Sequence, residues 1–190
     1  MKINKKQKKW DKEAERCLKI ADRLGLPIDP GIMDFVITLN LLGFLTRCSC
    51  EGHNDKEHIV SYPFVDITSK KALAHMKVRK ELFQKQEEKK ISEKLFGKKF
   101  HENEKIRRKE LARFSSNFEP YLDLFYKNRK VNYDSIITMD PGVIDVRIQP
   151  SGHFIQFSRT QLERDKRVKR YQKEFRDLTE FLKKKYFSSK

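Results

Sequence analysis

The sequence predicts an α+β fold: a small, mainly antiparallel sheet packed by N- and C-terminal helices, with a charged helical insertion. Apolar residues recur at helical spacing near both ends of the chain, which predicts amphipathic helices. Residues 44–46 and 62–68 are strand-like, and residues 143–157 alternate as a hairpin does. Between these runs, residues 70–113 are dominated by Lys, Glu, Arg and Gln, a composition with high helix propensity.

The first helix is expected over residues 10–24, where apolar and small side chains form one stripe. Cys17 lies on this stripe, which favours a buried thiol. Gly25 is expected to end the helix. The second helix is expected over residues 32–42, which are apolar on most faces, as in a buried central helix. Its C-cap is expected at Gly43.

Asp29 or Pro30 begins this second helix, because proline is favoured in the first helical turn. Residues 44–46 then form a short strand that leads into a cysteine-rich loop. If this strand pairs with residues 62–68, the loop lies at a sheet end, where a rigid scaffold presents it.

Residues 70–113 carry too few apolar side chains for deep burial, so we expect an extension of two helices with a break near Gly97. Pro120 marks the start of a further element. The clearest hairpin joins residues 143–148 to 153–157 through a turn. A basic amphipathic helix over residues 161–186 closes the chain.

The length of 190 residues indicates a single domain, 1–190, with 70–113 as an extension within it. No apolar run reaches the roughly 18 residues that a membrane helix needs, and the N-terminus lacks the apolar centre of a signal peptide. Three cysteines, an odd number, do not indicate a disulfide framework. We therefore expect reduced thiols, no membrane association and a cytoplasmic location.

The formal net charge of +16 at pH 7 is unevenly distributed. Residues 67–113 carry +9 and residues 158–190 carry +7, whereas residues 31–66 carry −3. Basic helices around a less basic centre suit a polyanion, and RNA or tRNA would bind through its phosphates. The alternative is that lysine only makes each helix soluble.

The reactive side chains are concentrated in six consecutive residues that follow the first predicted strand. They are Cys48-Ser49-Cys50-Glu51-Gly52-His53. One interpretation is a zinc site with Cys48, Cys50 and His53 as ligands, a set that zinc accepts. His58 or His153 would supply the fourth ligand. The Cys-x-Cys spacing is tighter than the usual Cys-x2-Cys, and the chain has no second cysteine pair.

A second interpretation is a nucleophilic thiol. The imidazole of His53 would lower the pKa of Cys50 if the loop turns back, and a thiolate is the reactive form of cysteine. Asp66 would join this site as a partner of His53 if the two strands pair. Cys50, His53 and Asp66 are therefore the candidate catalytic residues.

The third interpretation, which we favour, is that the loop positions a ligand. Gly52 permits a tight turn and a close approach to the backbone, while Glu51 and His53 face the ligand. Small polar groups around such a turn suit a phosphate or a carboxylate. The candidate ligand-binding residues are Thr46, Ser49, Glu51 and Gly52.

The loop also occurs in a familiar order of motifs: Trp10, Cys17-Leu18, Ala21-Asp22, Leu39-Asn40, Phe44-Leu45-Thr46, Ser49-Cys50-Glu51-Gly52-His53 and Tyr62-Pro63-Phe64-Val65-Asp66. This order resembles bacterial and phage proteins that carry a Ser-Cys-x-Gly-His loop after a helix. More distantly, residues 10–53 are similar to the start of a family of tRNA methyltransferases, the third enzyme of the wybutosine pathway. Residues 118–120 match a later Phe-Glu-Pro segment of that family. That family has arginine at the position of His53, and residues 70–113 are foreign to its pattern.

The resemblance implies an α/β RNA-modifying domain that uses S-adenosylmethionine. The residues themselves do not identify a cofactor or an oligomeric state. Walker, dinucleotide-binding and serine-hydrolase motifs are absent from the sequence. The leading hypothesis is an RNA-associated protein whose loop over residues 48–53 is a ligand or active site. The alternative is a non-enzymatic structural or interaction protein in which this loop binds zinc or only packs.

Overall fold

The computed structural model describes residues 5–22, 25–54, 62–154 and 160–189. Within these ranges lie helices and strands in the order α1 (Lys5–Leu18), α2 (Pro30–Leu41), β1 (Leu45–Cys50), β2 (Phe64–Thr68), α3 (Lys70–Glu87), α4 (Glu93–Tyr126), β3 (Ile137–Pro141), β4 (Val146–Pro150) and α5 (Gln161–Ser188). A short 3-10 turn precedes β3. The four strands form one antiparallel sheet in the order β1-β2-β4-β3. The expected α+β class is therefore confirmed.

The sheet has one apolar face and one polar face. Side chains that stand opposite each other on antiparallel strands point to the same side. Val65 stands opposite Ile148 on the buried apolar side, which belongs to a core shared with all five helices. Asp66 stands opposite Arg147 on the polar side. This alternation fixes the register, because a slip of one residue would turn the polar side chains toward the apolar core.

Aromatic side chains join the sheet to the helices. Phe35 of α2 contacts Phe175 of α5 edge-on, with ring centroids 5.2 Å apart. Phe44, which precedes β1, contacts Phe114 and Phe118 of α4 at 5.3 and 5.2 Å. Such edge-to-face pairs contribute about 0.5–1.5 kcal/mol beyond the area they bury. The C-terminal half of α4 is therefore part of the core.

The helices α3 and α4 pack against each other as a helical hairpin. Near the connection they share a separate aromatic cluster, in which Phe83 lies 5.3 Å from Phe96 and 5.7 Å from Phe100. Arg79 lies over the Phe100 ring at 5.2 Å. This small cluster supplies apolar contacts at the end of the hairpin near the connection, away from the main core.

Several element boundaries differ from the sequence prediction. The helix α1 ends at Leu18, before the expected stop at Gly25. The break between α3 and α4 lies at residues 88–92, and Gly97 is inside α4. Pro120 also lies inside α4, because the surrounding turns bury aromatic side chains whose contacts outweigh the lost hydrogen bond.

The strand β4 forms its hairpin with the strand that precedes it. Its ladder to β3 runs along the whole of both strands, so residues 142–145 form the turn. After β4, the Gly152 N–H donates to the Asp134 carbonyl and the chain continues beside the 3-10 turn. The expected hairpin turn at 149–152 is therefore wrong. Residues 155–157 of its expected second strand lie outside the described part of the chain.

Candidate functional site

The strand β1 carries both cysteines of the reactive stretch. It pairs with β2, with Cys48 opposite Asp66, so the expected pairing of these two strands is confirmed. The strand does not stop after residues 44–46, however, but extends to Cys50. Only the residues after Cys50 form a turn, and this turn lies at the sheet end beside the beginning of α2.

Two carboxylates fasten the turn to the N-terminus of α2. Asp29 precedes the helix, and its Oδ2 accepts a hydrogen bond of 2.9 Å from the Glu51 N–H. The Glu51 carboxylate in turn accepts a hydrogen bond of 2.6 Å from the Gly31 N–H. Unpaired N–H groups and the helix dipole favour negative charge at this end of a helix. The sequence therefore brings Asp29 and Glu51 to a place where both are stabilised.

A thiol, an imidazole and a carboxylate converge at this turn. One ligand atom each from Asp29, Cys50 and His53 lies within 4.8 Å of the other two. The His53 Nε2 is 3.3 Å from Asp29 Oδ2, and the Cys50 Sγ accepts a hydrogen bond of 3.3 Å from the Gly52 N–H. All three side chains of the cluster are half-buried. Asp29 is the member that the sequence did not single out as a site residue.

The Cys50 thiol is not activated by this arrangement. Burial raises its pKa to about 11; Asp29 and Glu51 contribute in the same direction, and the Gly52 N–H opposes them. A thiol with this pKa is protonated at neutral pH. The expected lowering of the Cys50 pKa by His53 is therefore wrong, because burial and nearby negative charge both disfavour the thiolate.

Gly52 is required by the turn itself. Its φ is +84°, and a Cβ at this position would lie 2.7 Å from the Pro63 backbone nitrogen. The close approach that glycine permits is therefore made by the protein's own chain. The Gly52 carbonyl accepts a hydrogen bond of 2.9 Å from Gln172 Nε2 of α5. The turn is thus fixed between α2, the chain before β2, and α5.

Asp66 does not join Cys50 and His53. It is buried, and its carboxylate accepts hydrogen bonds of 2.7 and 2.8 Å from the Arg147 guanidinium. Arg147 also lies over the Phe64 ring at 3.9 Å. The expected pairing of Asp66 with His53 is therefore replaced by a cross-strand ion pair on the polar side of the sheet.

The two remaining candidate ligand-binding residues lie along β1. The Thr46 N–H and hydroxyl both donate to Asn40 Oδ1, at 3.1 and 3.2 Å, so Thr46 connects β1 to α2. Ser49 is half-buried within β1. Thr46 is therefore engaged with α2 rather than available to a ligand at the turn.

The ligand set of the zinc interpretation, Cys48, Cys50 and His53, is not assembled in the part of the chain that the structure describes. Cys48 is exposed on β1 and lies outside the cluster. The His153 ring instead contacts Tyr62, at 5.7 Å between centroids. His58 is not among the described residues. Asp29, rather than Cys48, thus accompanies Cys50 and His53.

The helix α5 carries a basic ridge between two clefts. Arg176 lines a small cleft of about 160 Å³ together with Glu51 of the turn. Three residues earlier, Lys173 lines a larger cleft of about 570 Å³ with Arg129 and Lys130. Residues three apart are neighbours on a helix surface. Cationic side chains therefore connect the larger cleft to the turn.

The cations of the larger cleft are partly neutralised. Arg129 donates to Glu174 and Asp177 at 2.9 and 3.0 Å, which fixes its guanidinium. Lys173 also reaches Asp177, at 2.7 Å, but is exposed. Lys130 is likewise exposed. The cleft therefore combines a fixed arginine with lysines whose charge faces solvent.

Tyr133 adds an aromatic surface near this cleft. It is 82% exposed and stands between Asn132, which lines the cleft, and Asp134. Asp134 accepts a hydrogen bond of 2.7 Å from Arg170, another residue of the cleft wall. The Asn132 carbonyl accepts a hydrogen bond of 2.9 Å from the Ser135 N–H, so the backbone is held on both sides of Tyr133 while its ring is exposed to solvent.

No protein-family model matches the chain, and the searches of curated proteins and of solved structures found no match. Among the helices of the described ranges, none is long and apolar enough to cross a membrane. The candidate site is therefore defined by its own geometry: a cluster of Asp29, Cys50 and His53 at a sheet end, beside a basic helix.

Proposed function

We propose that this protein binds RNA, with the α5 ridge contacting phosphates and the turn after Cys50 facing the bound strand. The observation that supports the proposal is the position of Lys173 and Arg176, one helical turn apart, between the larger cleft and the turn. Lysine and arginine that neutralise phosphates release counterions, which drives binding. The resemblance of residues 10–53 to a tRNA methyltransferase family points to the same partner.

Tyr133 favours unpaired over double-stranded RNA. An exposed aromatic ring beside a cationic groove is the combination on which single-stranded bases stack, and each stacked base contributes about 1–3 kcal/mol. Tyr133 has this exposure, and its neighbour Asn132 lines the larger cleft. We therefore propose single-stranded or loop regions, such as those of a tRNA, as the bound form.

Salt-dependent binding of tRNA tests the proposal. We expect the K130Q/K173Q double variant to bind more weakly and to reduce the log–log salt slope by about one for each phosphate that is no longer neutralised. The K8Q/K12Q variant removes the same charge from exposed positions of α1 and is the matched control. Equal slopes for K130Q/K173Q and wild type would refute phosphate binding at Lys173 and the larger cleft.

The role of the turn is tested separately. If it is a ligand or active site, His53→Ala should lower RNA binding or turnover while the free energy of unfolding is retained. Transfer of labelled methyl groups from S-adenosylmethionine to tRNA is the reaction to assay first, because the family resemblance implies it. Wild-type behaviour of the His53→Ala variant would exclude this role.

A purely structural role for the turn is the alternative. The observation that favours it is the pair of hydrogen bonds that fix the turn: Glu51 bonds to Gly31, and Gly52 bonds to Gln172. In that case, substitutions in the turn should change stability and leave RNA affinity at the α5 ridge unchanged. The His53→Ala measurements therefore distinguish the two roles.

A further inference from the structure

We propose that Asp29, Cys50 and His53 bind one divalent transition-metal ion, and that zinc is the best match. The three side chains offer a carboxylate oxygen, a sulfur and an imidazole nitrogen, all of which zinc accepts. They come from two separate parts of the chain, the start of α2 and the end of β1 with its turn. Metal binding here does not depend on RNA binding at α5.

The distances suit a tetrahedral centre. Zinc bonds of about 2.0–2.3 Å place neighbouring ligand atoms about 3.3–3.6 Å apart. His53 Nε2 and Asp29 Oδ2 already have a separation of 3.3 Å. All three ligand atoms lie within 4.8 Å of one another, so each distance from the Cys50 sulfur has to shorten by no more than about 1.2 Å to complete the set. A small rotation of its side chain supplies this movement.

Hydrogen bonds around the cluster hold the ligands in place. The Gly52 N–H donates to the Cys50 sulfur, and the Glu51 N–H donates to Asp29 Oδ2. Outer hydrogen bonds of this kind orient metal ligands and tune their basicity. The turn that supplies them is itself fixed by the bond between Gly52 and Gln172. The cluster is therefore organised before any ion binds.

The mixed ligand set selects the metal. Magnesium and calcium prefer oxygen ligands, whereas thiolate and imidazole favour zinc and its neighbours in the first transition row. On binding, the Cys50 thiol releases its proton to solvent and the sulfur forms a bond to the ion. Within the described ranges three residues supply ligands, and a tetrahedral zinc centre takes one further ligand, such as a water or a substrate atom.

Zinc titration of the full-length, EDTA-treated protein against a chromogenic chelator tests the site. We expect one equivalent to bind, and Cys50→Ser to weaken the affinity by about 100-fold or more, beyond the usual effect of outer-shell changes. Cys48→Ser, two residues away on the same strand, is the matched control and should bind as wild type. Less than about a tenth of an equivalent on wild type, or equal losses in both variants, overturns the proposal.

A measurement on unaltered protein covers the case in which Cys50→Ser does not fold. X-ray absorption of the zinc-loaded wild type should show one sulfur and otherwise nitrogen or oxygen ligands. Two sulfurs would place Cys48 in the site and overturn the assignment. The tRNA titrations of wild type and K130Q/K173Q are repeated on EDTA-treated protein. Because RNA binding is then measured without metal, a failure of zinc binding and a failure of RNA binding are distinguished.

Discussion

At the residue scale, the two acidic residues Asp29 and Asp66 have different partners. Asp29 is shared by the Glu51 N–H and the His53 ring, so one carboxylate controls both the path of the turn and the position of the imidazole. Asp66, by contrast, is paired with Arg147 on the polar side of the sheet. Two acidic residues that look alike in sequence therefore have different functions in the structure.

The Cys50 thiol should be unreactive in metal-free protein. Its pKa of about 11 leaves about a thousandth of it as thiolate at pH 8, roughly 100-fold less than an ordinary cysteine thiol. We expect alkylation of Cys50 by iodoacetamide to be slower by this factor than alkylation of free cysteine. The rate should rise about tenfold per pH unit until pH 11, because the thiolate fraction grows with pH.

Mass spectrometry measures the alkylation rate of Cys50 in the EDTA-treated Cys48→Ser variant. This variant is used because it lacks the neighbouring thiol on β1. Labelling of Cys50 at pH 8 as fast as a free thiol would show that the thiolate is stabilised. It would restore the nucleophile as an interpretation of the site.

Asp66 is expected to be structural. Asp66→Ala leaves the Arg147 guanidinium without its carboxylate, and we expect a loss of about 2–4 kcal/mol in the free energy of unfolding, discounted because Arg147 is partly exposed. The double variant D66A/R147M should recover part of this loss, because no uncompensated charge remains. Urea unfolding measures both, and a change below about 0.5 kcal/mol in Asp66→Ala would contradict the assignment.

At the element scale, the turn after β1 and the long helix α4 show how context decides the role of glycine. Gly52 has a positive φ and faces Pro63, whereas Gly97 lies within α4 with open space around it. The same residue type is thus indispensable in the turn and a small cost in the helix. A break near Gly97 was expected from sequence because a lone glycine in a polar helical segment weakens the helix, but packing between α3 and α4 outweighs that cost.

Alanine substitutions at the two glycines should change stability in opposite directions. Gly52→Ala places a side chain in the left-handed region and against the Pro63 backbone, and we expect a loss of about 1–3 kcal/mol. Gly97→Ala should gain about 0.5–1 kcal/mol, because alanine is the better helix former. Thermal and urea unfolding compare the variants, and a neutral Gly52→Ala would mean that the turn relaxes.

At the scale of the whole molecule, one apolar core includes residues of all five helices and of three strands. The aromatic cluster at the end of the α3–α4 hairpin is separate from it. The charge also divides by region: many of the lysines and arginines are exposed on helices, and the turn after β1 lies beside one of these helices, α5. A polyanion bound to the cations of α5 would therefore lie beside the turn, even if the turn itself makes no contact with its phosphates.

The core should unfold as one cooperative unit, as a single domain over 1–190 requires. Trp10, the chain's one tryptophan, contacts Phe187 of α5 at 5.7 Å between ring centroids. We expect its fluorescence and the far-ultraviolet circular dichroism to report the same urea midpoint. Hydrogen exchange should show earlier local opening near Phe83 and Phe96, because that end of the hairpin packs away from the main core. Separate midpoints would indicate two units.

Much of the fold could be predicted because periodicity is local. The apolar pattern of α2, the proline at its start and the glycine after it placed that helix within two residues at either end. The closing helix begins at Gln161 as expected, and β1 pairs with β2. The partner of β4 could not be predicted in this way, because strand pairing depends on contacts between segments rather than on the alternation within one.

The sequence by itself determined the α+β class, the positions of the main helices and the concentration of reactive side chains near Cys50. The tertiary structure alone decided which groups meet there. It brought Asp29, from a separate part of the chain, to Cys50 and His53, and it assigned Asp66 to Arg147. The physical reason is that a helix N-terminus attracts carboxylates and a sheet fixes cross-strand partners. Both effects act across space, so residue order along the chain does not reveal them.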